Sequence, residues 1–161
     1  MVELQDSVMA KLVLDNLTAL RALEGKQLPE GDWFTVTQEM IDDFAKATGD
    51  NQWIHTDVEK ARKFSPFKTT IAHGFLSLSL LSRLMDVMKV QSATMGVNYG
   101  LNKVRFPSPV PSGSRVRLLT RIASIESYAE KGVKITWECT LELEGASKPA
   151  CVAEFISLMF E

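Results

Sequence analysis

The chain has only two histidines, His55 and His73, and an aspartate, Asp50, lies five residues before the first of them. A carboxylate and an imidazole in one short loop can hold a single water between them. The carboxylate can fix the imidazole tautomer, or the two can share proton transfer. The same residues also have ordinary uses, since Gly49-Asp50 after a helix makes a cap and turn, and a loop histidine is commonly solvated. His73-Gly74 opens a long apolar stretch. Gly74 falls in the first turn of that stretch, where backbone N–H groups lack intrahelical partners. Glycine lets a ligand approach the backbone closely, and the N-terminal end of a helix favours a developing oxyanion. The structural alternatives are that Gly74 permits close packing and that His73 is a core histidine bonded to backbone. No glycine-rich phosphate loop, Gly-x-Ser-x-Gly elbow or metal-ligand cluster is present in the sequence.

The elements around these residues follow from periodicity. From Gly74 the spacing predicts a helix to residue 88, with apolar residues at 75, 76, 78, 80, 81, 84, 85, 87 and 88. That is too many for one stripe, so the helix is expected to be enclosed on nearly every side. Its interruptions are serines, at 77, 79 and 82. Upstream, residues 2–24 read as an N-terminal helix stopped at Gly25, and Lys26 to Gly31 as a connector. A short strand over 32–36 leads to a helix over 38–48 that Thr37 caps and Gly49 ends. Asp57 caps a short helix through Lys63. Downstream the period changes to two, predicting strands over 94–106, 114–128, 133–144 and 149–160. The third alternates most clearly, Val133, Ile135, Trp137, Cys139, Leu141 and Leu143 against polar neighbours.

One strand before the long helix and four after it can form a single curved antiparallel sheet with the helix on its concave face. The expected class is α+β. Residues 1–25 are read as a helical extension and 26–161 as the domain.

Composition narrows the function. At 161 residues with 45% hydrophobic content, the chain suits one domain with an ordinary core. A net charge of −2 leaves no polyanion footprint, so nucleic acid is not expected as partner. No apolar run reaches about 18 residues, so no membrane span is expected. The first residues lack a signal-peptide pattern, which points to the cytoplasm. Cys139 and Cys151 sit in strand-like stretches and read as buried reduced thiols, with a disulfide as the alternative.

Taken jointly, two stretches carry more than either does alone. Phe44-Ala-Lys-Ala-Thr-Gly-Asp-Asn-Gln-Trp-Ile-His55 is followed 14 residues later by Thr69-Thr-Ile-Ala-His-Gly-Phe75. This pattern resembles the MaoC-like dehydratase family, the (R)-specific enoyl-CoA hydratases (hydratase 2), within them the nodulation protein N-like subgroup. The resemblance continues through residues 98–110 and 148–154 and covers about residues 30–160. Gln52 and Trp53 stand where the wider family carries Asn and Pro.

What the resemblance implies is a hotdog fold and reversible hydration of a trans-2-enoyl thioester to a (3R)-hydroxyacyl thioester. Asp50 and His55 would hold the water and handle the protons as a coupled pair. The Gly74 N–H would bind the thioester oxygen. Gln52 would offer an amide, and Ser82 would face the Asp/His pair. Ile71, Ala72 and His73 before the helix, with Gly96, Val104, Arg105 and Phe106 on the following strand, would border the thioester and pantetheine. Coenzyme A enters as part of the substrate, with no metal or redox cofactor, and the family form is a homodimer with sheets joined edge to edge. Two other readings share the fold. A hotdog acyl-CoA thioesterase would carry its carboxylate on or near the central helix, where this sequence has only Asp86 far along. A non-catalytic acyl-thioester-binding module would be favoured if Asp50 or His55 were missing.

Overall fold

A computed structural model describes residues 12–161. In chain order the elements are β1 (Leu12–Leu14), α1 (Leu17–Arg21), β2 (Phe34–Thr35), α2 (Gln38–Thr48), α3 (Trp53–Thr56), α4 (Val58–Phe64), α5 (Gly74–Leu84), β3 (Met88–Val90), β4 (Met95–Arg105), β5 (Arg115–Tyr128), β6 (Gly132–Leu143) and β7 (Cys151–Phe160). Five strands form one antiparallel sheet in the order β2-β5-β6-β7-β4. The alternation read from the sequence sets its inner face. Val116, Leu118 and Ile122 of β5, with Val133, Ile135, Trp137 and Leu141 of β6, are essentially fully buried. They close on Leu76, Leu80 and Leu81 of α5, and each large side chain removed from water contributes roughly 1.5–3 kcal/mol. Trp137 keeps its indole N–H satisfied by donating to Ser157 Oγ at 2.8 Å. On the outer face the β5–β6 register puts Arg117 opposite Glu142 and Arg121 opposite Glu138, and both pairs are ion-paired. This is the hotdog arrangement expected from the sequence.

Three local expectations change. The helix read over 2–24 does not form across 12–14; residues 1–11 lie outside the described ones. Leu12–Leu14 is a strand paired in parallel with β3, Leu12 against Met88 and Leu14 against Val90. Helical backbone begins only after Asn16, whose side chain caps α1 by accepting from the Ala19 N–H. Residues 25–31 then run along β5, with Gly25, Leu28 and Gly31 N–H groups donating to Ile122, Thr120 and Leu118 carbonyls at 2.7, 2.9 and 3.0 Å. At Gly31 a Cβ would lie 3.1 Å from the Leu118 carbonyl oxygen, so the strap runs close only because that side chain is absent.

The second change is that α5 ends at Leu84, not at 88. Val87 and Met88 leave it to join the N-terminal segment, the Leu12 N–H donating to Val87 O at 3.0 Å. The third concerns its enclosure. Phe75, Ser79 and Ser82, spaced i, i+4, i+7, form an exposed stripe, and Phe75 is 72% exposed. Two of the three serines thus mark an open side rather than a packed one. Only Ser77 is buried.

Candidate active site

The loop bearing Asp50 is set by the end of α2. Gly49 takes a left-handed conformation (φ 78°), which ends the helix and turns the chain. Asp50 N–H then donates to Thr48 Oγ1, and Asp50 Oδ1 accepts from the Gln52 N–H, both at 3.4 Å. One turn further, in α3, His55 is buried. Its Nδ1 lies 2.7 Å from the Ile71 carbonyl oxygen. A carbonyl only accepts, so Nδ1 carries the proton and Nε2 presents a lone pair in the neutral ring.

His73 precedes α5 and is 3% exposed. Its ring stacks on that of His55, centroids 3.8 Å apart and planes 26° apart, and Phe44 packs against it at 5.0 Å. His73 Nε2 donates to the Asp50 backbone carbonyl at 3.0 Å. Its Nδ1 is buried without a partner. Ligating atoms of Asp50, His55 and His73 all lie within 4.8 Å of one another. A carboxylate and an imidazole at that spacing leave room for one water within hydrogen-bond reach of both. As a cation site the trio is poor. The two imidazole planes are nearly parallel, so their in-plane lone pairs do not converge on one point.

Gly74 is the first residue of α5, and its N–H is among those a helix leaves unpaired. Its φ lies outside the left-handed range, so the backbone does not demand glycine. A Cβ there would lie 3.2 Å from the ring of the exposed Phe106, which would have to give way by a few tenths of an ångström.

Residues 21–142 match the MaoC like domain family. The chain belongs to the MaoC-like dehydratase family. It is accordingly an enzyme of the hydratase/dehydratase type, a carbon–oxygen lyase. Over 143 residues it is 50% identical to 3-hydroxyacyl-thioester dehydratase Z of Mycobacterium tuberculosis, covering 88% of this chain and 94% of that protein. It is 44% identical over 137 residues to nodulation protein N of Rhizobium leguminosarum bv. viciae, covering 84% and 85%. Its fold is similar to that of the (R)-hydratase from A. caviae, with TM-score 0.64 and 19% identity over 83% of this chain and 94% of that one.

In this MaoC-like dehydratase the residues singled out by sequence fall into two places. Asp50, His55, Gln52, Ile71, Ala72, Gly74 and Phe106 gather at the start of α5. Ile71 and Ala72 are buried there. The Ile71 carbonyl is given to His55, and the Ala72 N–H donates to Val110 O at 2.8 Å. Val104 and Arg105 end β4 just before Phe106, and the Arg105 guanidinium donates to the Val104 carbonyl at 2.7 Å. Gly96 does not join them, because eight residues of strand from Val104 span roughly 26 Å. Ser82 also lies apart, about 12 Å along α5 from Gly74. It accepts from Asn98 Nδ2 at 3.4 Å rather than facing Asp50 and His55. His73 is buried against the His55 ring and is held by its bond to Asp50 O.

One contributor escapes a reading of spacing. Gln38, in the first turn of α2, donates from Nε2 to the His55 carbonyl at 2.8 Å and accepts from Thr70 Oγ1 at 2.5 Å. It braces both loops at once. Nothing in its neighbourhood distinguishes it from any polar residue opening a helix.

Proposed function

We propose that the protein hydrates trans-2-enoyl thioesters reversibly to (3R)-hydroxyacyl thioesters, the acyl group being carried on coenzyme A or an acyl carrier protein. The observation carrying this reading is the meeting of the Asp50 carboxylate and the His55 imidazole beside the free N-terminal end of α5. With Nδ1 committed to Ile71 O, His55 turns an acceptor nitrogen toward the water and Asp50 supplies a second acceptor. The pair removes a proton as the water adds to the β carbon and returns one at the α carbon. The Gly74 N–H, aided by the helix dipole, receives the thioester oxygen as it gains enolate charge; one such donor is typically worth about 2.7–4 kcal/mol. Hydration is redox-neutral, and these groups supply its proton transfers without a cofactor. The names of the mycobacterial dehydratase and of the A. caviae (R)-hydratase support the thioester class and the configuration.

The working form we propose is a homodimer. β4 is the free edge of the five-stranded sheet, and Met95, Tyr99 and Leu101 along it are 52, 58 and 43% exposed. A strand edge that no other described residue pairs, with apolar side chains exposed along it, is the kind of surface another copy covers. A thioesterase reading is disfavoured because α5 carries no carboxylate between Gly74 and Leu84.

The test is to follow loss of the conjugated enoyl absorbance with crotonyl-CoA and a medium-chain trans-2-enoyl-CoA, to determine product configuration, and to run a free-thiol assay alongside. Turnover to (3R) product, with Asp50→Asn and His55→Gln each lower by roughly 10²-fold or more, is expected for paired acid–base groups. Thiol release without hydration would establish the thioesterase, and binding without either product a non-catalytic module.

A further inference from the structure

Beside the exposed stripe of α5 runs a groove of about 300 Å³, walled by Phe75, Ser79 and Ser82 on the helix and by Tyr99 and Leu101 on β4. It starts one residue from Gly74. At Ser82, Asn98 and Phe155 it meets a second cavity of about 230 Å³, which passes inward between the end of α5 and the sheet. Leu28, from the strap along β5, lines this inner cavity, as do Met85 and Trp137. An engineered apolar cavity of about 150 Å³ holds a benzene molecule, so the inner space can take the far end of an acyl chain.

One atom of that wall does not suit a plain hydrocarbon. Thr120 lines the inner cavity and is 1% exposed, and its Oγ1 has no hydrogen-bond partner. It points to the concave side, because Leu118 and Ile122, two residues either way on β5, are buried there too. Its backbone carbonyl is already taken by the Leu28 N–H. A valine would have the same shape and leave nothing unsatisfied, whereas a lone buried hydroxyl is destabilising. Ser157 also lines the cavity. It accepts from the Trp137 indole, which leaves its own hydroxyl proton to donate. Among the described residues no acidic or basic side chain lines the space, so none there would pair with a charged chain end.

Resting on the hydratase reading, we infer that the inner cavity is a subsite for acyl chains bearing a neutral oxygen, a keto or hydroxyl group, away from the reacting carbons, and that the Thr120 hydroxyl is the residue that selects them. The keto oxygen accepts from Thr120, and a hydroxyl can both donate and accept there. Thr120 lies beyond the far end of the groove that starts beside Gly74, so it reads the chain and not the enoyl unit.

The experiment compares a medium-chain trans-2-enoyl-CoA with equal-length analogues carrying one keto or hydroxyl group at successive positions toward the chain end. kcat/KM is measured in the wild type, Thr120→Val and Thr120→Ser. Kd values for the same set are measured by calorimetry in Asp50→Asn and in Asp50→Asn/Thr120→Val. One oxygen position is expected to be preferred about tenfold over the plain chain, the worth of one well-made buried hydrogen bond. Thr120→Val should bring that ratio to about one, and Thr120→Ser should keep it. Absence of any preferred position, or a preference that survives Thr120→Val, overturns the inference while leaving the hydratase intact. If no enoyl thioester turns over, the hydratase reading fails, and the calorimetric ratios still decide the subsite. A ratio lost with Thr120→Val upholds it; a ratio of one in the Asp50→Asn protein overturns it.

Discussion

His55 and His73 stack face to face, and each holds a carbonyl of the other's loop: His55 Nδ1 donates to Ile71 O, two residues before His73, and His73 Nε2 donates to Asp50 O, five residues before His55. The crossed pair locks two separate segments in one register. It also sets both tautomers, leaving the His55 Nε2 with a lone pair in the neutral ring.

His73 is therefore a positioning residue, and its variants should separate kcat from KM. Phenylalanine preserves the stack but drops the bond to Asp50. His73→Phe should lower kcat roughly 10- to 100-fold through displacement of the Asp50 loop, with KM within about twofold. His73→Gln, which can still donate to the carbonyl, should recover most of that loss. A His73→Phe enzyme with wild-type kcat would show that the bond does not position Asp50.

Gly74 makes a sharper case, because the atoms nearest to a side chain there all belong to the Phe106 ring. Gly74→Ala should lower thermal stability by about 1–3 kcal/mol, the usual cost of overpacking, and should depress kcat/KM as Phe106 is pushed off the helix start. In a Phe106→Ala background the same substitution should cost almost nothing in stability. Additive melting-temperature losses in the double-mutant cycle would place the clash elsewhere.

The two cysteines are both free and buried, in line with the reduced-thiol reading. Burial, with a smaller contribution from Cys151, pushes the Cys139 thiol up to about 12, and burial takes Cys151 to about 11. Both should resist a thiol reagent in the native protein at pH 8 and react fully on unfolding. Their folded values exceed the unfolded value of 9.0. The contribution is thus complete below about pH 9 and is lost as pH rises toward 11 and 12. Denaturant titrations of Cys139→Ala/Cys151→Ala and wild type should show a shallower alkaline decline for the variant.

The exposed edge can be tested by mass. Light scattering should give twice the 17.9 kDa chain mass for wild type. Leu101→Lys with Tyr99→Glu, which puts charge on β4 without touching the core, should give the single-chain mass and a circular dichroism spectrum unchanged from wild type. A single-chain mass for wild type would remove the homodimer from the proposal.

Much of this architecture acts over short range and was open to reading from residue order alone. Thr37 and Gly49 bound α2 as expected, because capping and a left-handed stop involve atoms within four residues. Strands β4 to β7 fall within two residues of their predicted limits, because alternation is a property of each strand by itself. The Gly74 helix start was visible for the same reason, whereas His55, read as a loop residue, lies in the short helix α3. What residue order could not settle depends on groups that meet only after packing. Leu12–Leu14 is a strand because residues 88–90 offer it partners, and α5 stops at Leu84 because those residues are drawn away. The bond that ties His73 to the Asp50 carbonyl joins residues 23 positions apart. Ser82 and Gly96 parted from the Asp50–His55 site because a helix and a strand carry them down its length. Thr120 reads in sequence as one polar residue in an alternating strand, and only the curvature of the sheet around α5 turns its hydroxyl into an unpartnered group in a cavity wall.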